Sequence, residues 1–241
     1  MISVRTKLYF SMENLILQQF FVFTFSERHD KMCSYLYFSF LRGQTMDSNF
    51  FALISRMRYI ERWGLMRNAL PENIQEHSHM VAVLAHALGV IRRDIFHQPC
   101  DVNALATAAL YHDASEILTG DLPTPIKYHN AEIMSAYHAV EDLAVQKLLG
   151  MLPPELRETY ADVLAEDKDG DIYPLVKAAD KLSAYIKCIE ERKAGNNEFL
   201  SAEAQTRAAL EASPLPEVQY FLEHFIPAFE RDLDELGAIG Q

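Results

Sequence analysis

The sequence predicts an all-α domain, and two observations support that prediction. From residue 46 onward, apolar residues recur every three to four positions, as they do on one face of a helix. No stretch of useful length alternates apolar and polar residues in the manner of a half-buried strand. A chain of 241 residues with 49% hydrophobic residues is long and apolar enough to bury a substantial core. We therefore expect several helices packed into a bundle.

The predicted helices begin and end at recognisable signals. Asn73 and Glu76 have the spacing of a capping box, and Asp101 or Asn103 begins a helix that should continue through Glu116. The segment from Gly120 to Pro125 should end that helix. The other predicted helices, in chain order, cover 50 to about 62, 130–149, 153–165, 172–193, 201–212 and 216–235.

Residues 1–45 differ from the rest of the chain. They contain ten of its Phe and Tyr residues, in apolar clusters without a helical or strand period. Their longest apolar run, 14–25, has about half of the ~20 residues that a membrane-spanning helix needs, and two glutamines interrupt it. Met46 is followed by residues that can cap a helix. We therefore predict a functional domain over 46–241 that begins at Met46, and interpret residues 1–45 either as an N-terminal extension outside the native fold or as the result of a mispredicted start.

Charge and cysteine content narrow the choice of partners. The formal net charge of −12 argues against nucleic acid or an anionic membrane as the main partner, because both require a basic face. A small phosphate ester is still allowed, since a bound cation and one or two nearby bases can form a positive site in an acidic protein. The three cysteines are widely spaced and form no CxxC pair, as is typical of reduced thiols. We therefore expect a cytoplasmic protein.

Four residues of metal-ligating type lie on three predicted helices: His77, the adjacent His112 and Asp113, and Asp180. Both histidines share a helix face with core residues, so their rings should point inward, and Asp113 lies about 100° further round its helix. Two imidazoles and two carboxylates suit a divalent cation that keeps positions open for water and substrate. Such an ion can activate water, which makes metal-dependent hydrolysis the leading hypothesis.

Each of these residues also has a simpler interpretation. An inward-facing histidine is more often a hydrogen-bonded core residue, and a mid-helix carboxylate such as Asp180 is more often solvated or paired with a neighbouring lysine. His79 and His86 compete with His77 on the same helix, although neither follows the Asn-x-x-Glu-His start. The metal interpretation is favoured because the residues occur together, in the order H…HD…D, on helices that must pack against one another.

Several further segments are distinctive: Arg-Trp at 62–63, Glu-Asn-Ile-Gln-Glu-His at 72–77, His-Asp-Ala-Ser-Glu-Ile-Leu-Thr-Gly-Asp-Leu-Pro-Thr at 112–124, and Lys-Ala-Ala-Asp at 177–180. With the H…HD…D order, they make the chain resemble the HD-domain metal-dependent phosphohydrolases, and especially the bacterial 5′-deoxynucleotidases. The resemblance runs from about Met46 to about residue 235. It implies an HD-domain helical bundle with a metal site between helices. The Lys-Leu-Ser that follows at 181–183 departs from the family pattern.

The resemblance also implies a role for each site residue. The metal ligands would be His77, His112, Asp113 and Asp180. The substrate-binding residues would be Arg62, Trp63, His77, Asp113, Asp121, Leu122, Pro123, Thr124 and Asp180. Glu116 would act as general acid or base.

Three of these implied roles have simpler alternatives. Arg62 would clamp the phosphate with its planar fork, but alone it would be interpreted as a surface arginine. Trp63 would orient the phosphate or form a pocket wall, and is otherwise a core anchor. The loop at 121–124 would meet the sugar and exclude a 2′-hydroxyl, and is otherwise a turn stiffened by proline.

The activity implied by the resemblance is hydrolysis of 2′-deoxyribonucleoside 5′-monophosphates to deoxynucleoside and phosphate. The implied cofactor is one divalent cation, with Co²⁺ or Mn²⁺ favoured and Zn²⁺, Fe²⁺ or Cu²⁺ compatible with the ligands. A homodimer is also implied. One alternative is an HD hydrolase of a triphosphate, alarmone or cyclic nucleotide, which would need more basic residues than Arg62, Arg67 and Lys127 provide. The other is a non-catalytic metal-binding module, which Glu116 beside a complete ligand set disfavours.

Overall fold

The computed structural model of the chain describes residues 48–127, 129–165 and 170–237, except for the side chains of residues 124 and 125. These residues form helices and no β-strand, which confirms the predicted all-α class. Their one sheet-like pairing is an isolated antiparallel bridge between Glu61 and Asn73. The predicted extension over 1–45 and its boundary at Met46 lie outside the described residues.

Eleven α-helices are present in the described part of the chain. They are α1 (Phe50–Ile54), α2 (Ile74–Val90), α3 (Val102–Tyr111), α4 (Glu116–Thr119), α5 (Thr124–Lys127), α6 (Ala131–Gly150), α7 (Pro154–Leu164), α8 (Tyr173–Lys193), α9 (Leu200–Glu211), α10 (Pro216–His224) and α11 (Ile226–Phe229). Single turns of 3₁₀-helix follow α1 at Ser55–Tyr59 and precede α9 at Asn197–Phe199, and a π-turn extends α2 over Ile91–Ile95. None of the described helices is both long and apolar enough to cross a membrane.

The main core lies where α2, α3 and α8 pack together. Its fully buried members include Val81, Leu88, Leu105, Leu182 and Ile189. Helices α2 and α3 approach closely at Gly89, where a Cβ atom would lie 3.0 Å from Leu105 Cδ2. Glycine therefore permits the close packing of these two helices. A smaller cluster around Phe50 and Leu148 joins α1, α6 and α7.

Helix α2 begins at the predicted capping box. The Asn73 side chain accepts hydrogen bonds from the backbone N–H groups of Gln75 and Glu76, and the Glu76 carboxylate accepts one from the Asn73 N–H. The predicted cap at Asp101 is also present, because its carboxylate accepts a bond from the Ala104 N–H. Local side-chain chemistry therefore fixes where these two site-bearing helices begin.

The prediction of one continuous helix through Glu116 was wrong. Helix α3 ends at Tyr111, residues 112–115 form turns, and α4 begins at Glu116. The N–H of Ala114 bonds to the Tyr111 carbonyl, and that of Glu116 bonds to the Asp113 carbonyl. The backbone hydrogen bonds here therefore join residues three apart, instead of four apart as in an α-helix. The turn, rather than a regular helix face, sets the direction of the side chains at 112 and 113.

The predicted helix over 216–235 was also too long. Helix α10 ends at His224, and the four-residue α11 follows Phe225. Pro227 has no N–H to donate to a carbonyl in the preceding turn, and its ring restricts the residue before it. A proline inside the apolar pattern therefore divides the predicted helix into two.

Candidate metal and phosphoester site

Three separate elements bring the predicted ligands together. His77 lies in the first turns of α2, His112 and Asp113 lie in the turn after α3, and Asp180 lies in the middle of α8. The His77 Nε2 atom is 3.0 Å from Asp180 Oδ1 and 3.6 Å from Asp113 Oδ2. The His112 Nε2 atom is 3.2 Å from the same Asp113 oxygen. Residues more than 100 positions apart thus meet at one centre.

The Nδ1 atoms of the two histidines face away from this centre and have partners. The His112 Nδ1 lies 2.7 Å from the Ala109 carbonyl oxygen, so this nitrogen carries the proton and donates it. The His77 Nδ1 lies 3.2 Å from the Ser183 hydroxyl. Both Nε2 atoms are buried and have no well-oriented hydrogen-bond partner among the described residues. The rings are therefore oriented as metal-binding imidazoles usually are, with one nitrogen held and the other facing inward.

The two carboxylates at the centre remain ionised. Burial would raise the pKa of Asp113, but the neighbouring His112, His77 and Arg62 side chains hold that pKa well below its ordinary value. Burial likewise opposes ionisation of Asp180, but its pKa is held well below the ordinary value by His77, whose Nε2 atom lies 3.0 Å from Asp180 Oδ1, and by the charge of His112. Two negative charges and two imidazoles in one small space form a donor set for a divalent cation.

The geometry fits a single ion. One ligand atom each from His77, His112 and Asp180 lies within 4.8 Å of the others, and these three residues form the candidate cluster. Asp113 lies outside that three-residue cluster, although its Oδ2 atom is next to both Nε2 atoms. The competing His79 and His86 are exposed on α2, so His77 is the inward-facing histidine of the three.

Glu116 is buried at the beginning of α4, beside this centre. Its side chain is 5% exposed, and its Oε2 atom has no hydrogen-bond partner among the described residues. Burial, followed by the negative charges of Asp113 and Asp121, raises the pKa of Glu116 to about 10. A bound cation would oppose this effect by adding positive charge. Glu116 is thus a carboxyl group whose protonation depends on what occupies the site.

Arg62 approaches the centre from the segment before α2. Its Nη1 atom is 3.5 Å from Asp113 Oδ2, and its Nε atom is 3.2 Å from Glu72 Oε2. Burial lowers the pKa of the guanidinium, but the carboxylates of Asp180, Asp113 and Glu72 more than offset this, so Arg62 stays charged. The simpler interpretation of Arg62 as a surface arginine does not apply, because its side chain is largely buried.

Trp63 lies next to Arg62 in a strained backbone conformation. Its φ of +58° is in the left-handed region, which bulky residues rarely adopt. The indole Nε1 donates to Glu72 Oε2 at 3.1 Å, and the ring packs against Phe199 at a centroid distance of 5.2 Å. These contacts hold the ring, so the anchor role is present whether or not Trp63 also touches a ligand.

The loop at 121–124 borders the same region. Asp121, Leu122 and Pro123 are partly buried, and Gly120, with φ of +75°, ends α4 immediately before them. Burial raises the pKa of Asp121, although the nearby Arg62 charge opposes this. Thr124 begins α5, and its side chain lies outside the described residues. The structure brings Asp121 near Arg62, and its role toward a sugar stays a prediction.

Two residues that support the site were missed in the sequence. Ser183, in the segment that departs from the family pattern, contacts the outer nitrogen of His77. Glu72 holds both Arg62 and Trp63 through one oxygen atom. A three-residue spacing from Asp180 places Ser183 on the same face of α8, and that spacing was the available signal. Glu72 begins the distinctive segment at 72–77, but nothing in that segment indicates that its side chain holds Arg62 and Trp63.

A helical bundle in which an H…HD…D set converges beside a buried glutamate is the arrangement of HD-domain phosphohydrolases. The structure is similar to an HD-domain phosphohydrolase from Listeria innocua, with a TM-score of 0.68 and 25% identity over 77% of this chain and 90% of that one. Residues 49–229 match the 5′-deoxynucleotidase YfbR-like family, to which the chain therefore belongs.

Curated relatives support the same family. The 5′-deoxynucleotidase YfbR of Shigella boydii serotype 18 is 50% identical over 191 residues, which cover 79% of this chain and 96% of the relative. The protein of that name from Escherichia coli has the same identity and coverage. A protein from Pyrococcus horikoshii, with a TM-score of 0.58 and 21% identity, shares the fold.

Proposed function

We propose that this protein is a metal-dependent phosphomonoesterase that hydrolyses 2′-deoxyribonucleoside 5′-monophosphates to deoxynucleosides and inorganic phosphate. The observation that carries the proposal is the convergence of His77, His112, Asp113 and Asp180 beside Glu116 and Arg62. The 50% identity to 5′-deoxynucleotidases over most of the chain supports the substrate class.

In this proposal, His77, His112, Asp113 and Asp180 hold one divalent cation. The fit is supported by the two buried Nε2 atoms, which have no well-oriented hydrogen-bond partner among the described residues, and by the two ionised carboxylates. When bound, such a cation supplies Lewis acidity toward the phosphoryl group and lowers the pKa of a nearby water molecule. Ser183 and the Ala109 carbonyl keep the two imidazoles turned toward it.

The remaining residues act on the substrate. Arg62 binds phosphate oxygens with its planar fork and keeps its charge in this partly buried environment. Glu116 transfers a proton, either from the attacking water or to the leaving 5′-oxygen. Trp63 forms a wall beside Arg62, and Asp121, Leu122 and Pro123 face the sugar, with Thr124 retained as a predicted sugar contact. The charge of Arg62 also acts on Asp121, so the phosphate side and the sugar side of the site are electrostatically linked.

A monophosphate fits the available positive charge better than a more highly charged nucleotide. Of the three candidate bases, Lys127 pairs with Glu141 at 2.9 Å and lies over the Tyr137 ring. Arg67 is almost fully exposed and pairs with Glu198 at 2.8 Å. Arg62 is therefore the base of the three that directly contacts a ligand residue, and one arginine with one cation suits a single phosphate group.

Three finer properties are predicted from the sequence. Cobalt or manganese is the metal that the resemblance favours, and the nitrogen and oxygen ligands also suit zinc, iron or copper. A homodimer is predicted on the same basis, whereas the cytoplasmic location is predicted from the three widely spaced cysteines. Elemental analysis of protein purified without added metal, and light scattering of the same sample, measure the first two properties directly.

The test is a phosphate-release assay with paired deoxyribo- and ribonucleoside 5′-monophosphates, measured with Mn²⁺, Co²⁺ and Zn²⁺ in turn. We expect phosphate release that requires metal and is faster with the deoxy substrates. Nucleoside 3′-monophosphates serve as a matched control with the same charge. Release of pyrophosphate from triphosphates, or opening of a cyclic diester, at higher efficiency would favour the alternative HD hydrolase.

A further inference from the structure

A buried ion pair lies on the same face of α8 as the metal-site residues. Asp180, Ser183, Lys187 and Glu191 follow one another at spacings of three, four and four residues, which places them along one side of the helix. The first two contact His77, as described above. Lys187 is 3% exposed and Glu191 is fully buried. Charged residues are seldom buried so completely, and this pair takes no part in the proposed chemistry.

Every oxygen position of Glu191 is used to hold the segment 67–70. Its Oε2 accepts from the Ala69 N–H at 2.8 Å and its Oε1 from the Leu70 N–H at 3.0 Å. The Lys187 ammonium donates to the Leu70 carbonyl and to Glu191 Oε1. Asn196 Nδ2 donates to Glu191 Oε2 at 2.7 Å and to the Arg67 carbonyl at 2.6 Å. We call Lys187, Glu191 and Asn196 the anchor cluster.

The segment held by the anchor cluster is continuous with Arg62 and Trp63. The Asn68 side chain donates to the Met66 carbonyl at 3.1 Å, and the Met66 N–H bonds to the Trp63 carbonyl at 2.8 Å. A second connection passes through Phe199, whose ring lies 5.6 Å from the Lys187 ammonium and packs against Trp63. Two chains of contacts thus run from the anchor cluster to the strained residue beside Arg62.

The energetics favour a positioning role. Two buried charges are expensive to desolvate, and an apolar pair of similar volume is often as stable. A polar cluster with every hydrogen bond made instead specifies one geometry of the groups it holds. A tryptophan at positive φ also persists only where its surroundings over-determine it.

We propose that the anchor cluster consists of positioning residues that fix the segment 62–70, so that Arg62 and Trp63 are presented to the phosphate of the substrate. This inference rests on the proposed function. The cluster acts through Arg62 and Trp63 and touches neither the reacting atoms nor the metal ligands.

The test compares Glu191→Gln with Glu223→Gln, a control of the same residue type on α10 whose side chain is exposed. Both variants remove one negative charge, but only the first removes an acceptor of the segment 67–70. We measure kcat and KM for 2′-deoxyadenosine 5′-monophosphate, bound metal, and acrylamide quenching of Trp63, the single tryptophan of the chain.

For Glu191→Gln we expect KM to rise about tenfold, the equivalent of one charge-assisted hydrogen bond, with kcat falling much less. Quenching of Trp63 should increase about twofold, and metal content should not change. The control should match the wild type in all four measurements. Unchanged KM and quenching in Glu191→Gln would overturn the proposal, as would a rise in KM that merely follows loss of metal.

Asn196→Ala covers the case in which Glu191→Gln does not fold, because it removes a partly exposed neutral side chain. We expect KM to rise about threefold, because one neutral donor is lost, with increased quenching of Trp63 and unchanged metal content. The absence of any change would overturn the proposal. The quenching readout does not use activity, so a wild type that hydrolyses no nucleotide would contradict the proposed function while leaving the positioning of Trp63 measurable.

Discussion

Two buried glutamates, one in the metal site and one in the anchor cluster, are in opposite electrostatic states. Glu116 has an unpaired oxygen, and burial together with two nearby carboxylates raises its pKa to about 10. Burial also acts on Glu191, but hydrogen bonds from Lys187, Asn196 and two backbone amides lower its pKa to about 2. The same type of side chain thus favours the protonated form in one place and the charged form in the other.

The difference extends to the groups around each glutamate. In the metal site, the inner nitrogens of His77 and His112 are buried without well-oriented partners. In the anchor cluster, each oxygen of Glu191 accepts two hydrogen bonds. A buried polar group without a partner destabilises the fold by about 1–3 kcal/mol, so such groups persist where a ligand supplies the partner. The unpaired groups of the metal site are therefore available to a ligand, whereas the charges of the anchor cluster are satisfied within the fold.

The largest expected effect is at the metal site. Asp113→Ala should lose metal and activity together, because it removes a carboxylate next to both imidazoles and leaves Arg62 without that partner. We expect kcat/KM to fall by roughly a thousandfold or more, which corresponds to several kcal/mol of transition-state stabilisation. Elemental analysis and phosphate release measure the two losses. Full activity of the Asp113→Ala variant after dialysis against a chelator would contradict this prediction.

The next effect separates proton transfer from metal binding. Glu116→Gln keeps the shape of the side chain but cannot exchange a proton, so kcat should fall by about a hundred- to a thousandfold. Metal content should stay at the wild-type value, because Glu116 is not among the proposed ligands. The two variants should therefore differ in metal content. Glu116→Gln should lose activity while it still binds metal, whereas Asp113→Ala should lose both. Unchanged activity would remove Glu116 from the mechanism.

A smaller effect is expected where the outer nitrogen of His77 is held. Ser183→Ala removes the hydroxyl that lies 3.2 Å from the His77 Nδ1. Support of this kind is typically worth about 10- to 100-fold in metal affinity. Competition with a fluorescent chelator measures the change. At saturating metal the activity should largely recover, and a permanent loss of activity would mean that Ser183 acts in another way.

The smallest effect concerns stability and its dependence on pH. Because the pKa of Glu191 is lowered in the folded state from 4.5 to about 2, its stabilising contribution is complete above pH 4.5 and is lost as the pH falls toward 2. As the pH falls from 4.5 to 2, the thermal unfolding temperature of the wild type should therefore decrease more steeply than that of Glu191→Gln. Equal steepness in both proteins would show that the anchor cluster does not hold this charge. Glu223→Gln serves again as the control.

Features with local causes could be predicted from the sequence. The capping box at Asn73, the cap at Asp101 and the glycine stop at Gly120 each involve neighbours within a few residues, and all three are present. The break after Tyr111 could not be predicted, since the apolar pattern continues through it at helical spacing. Long-range packing of the turn decides the backbone there, and local propensity does not encode that packing.

The residues proposed as metal ligands could be predicted from the sequence, and the residues that hold the segment beside them could not. The H…HD…D order and the inward face of His77 are visible in the chain, and the structure brings those residues together. Lys187 and Glu191, in contrast, have the i, i+4 spacing of an ordinary exposed helix pair. Their burial depends on the segment 67–70, more than 100 residues earlier, and no pattern within α8 indicates it.

The most direct test of the whole account is a metal titration of chelator-treated protein, with bound metal and phosphate release from a deoxynucleoside 5′-monophosphate recorded on the same samples. The account predicts that activity rises in proportion to occupancy and reaches its maximum at about one divalent ion per chain. Full activity in metal-free protein, or an ion retained equally well when His77 and Asp180 are both replaced by alanine, would contradict it.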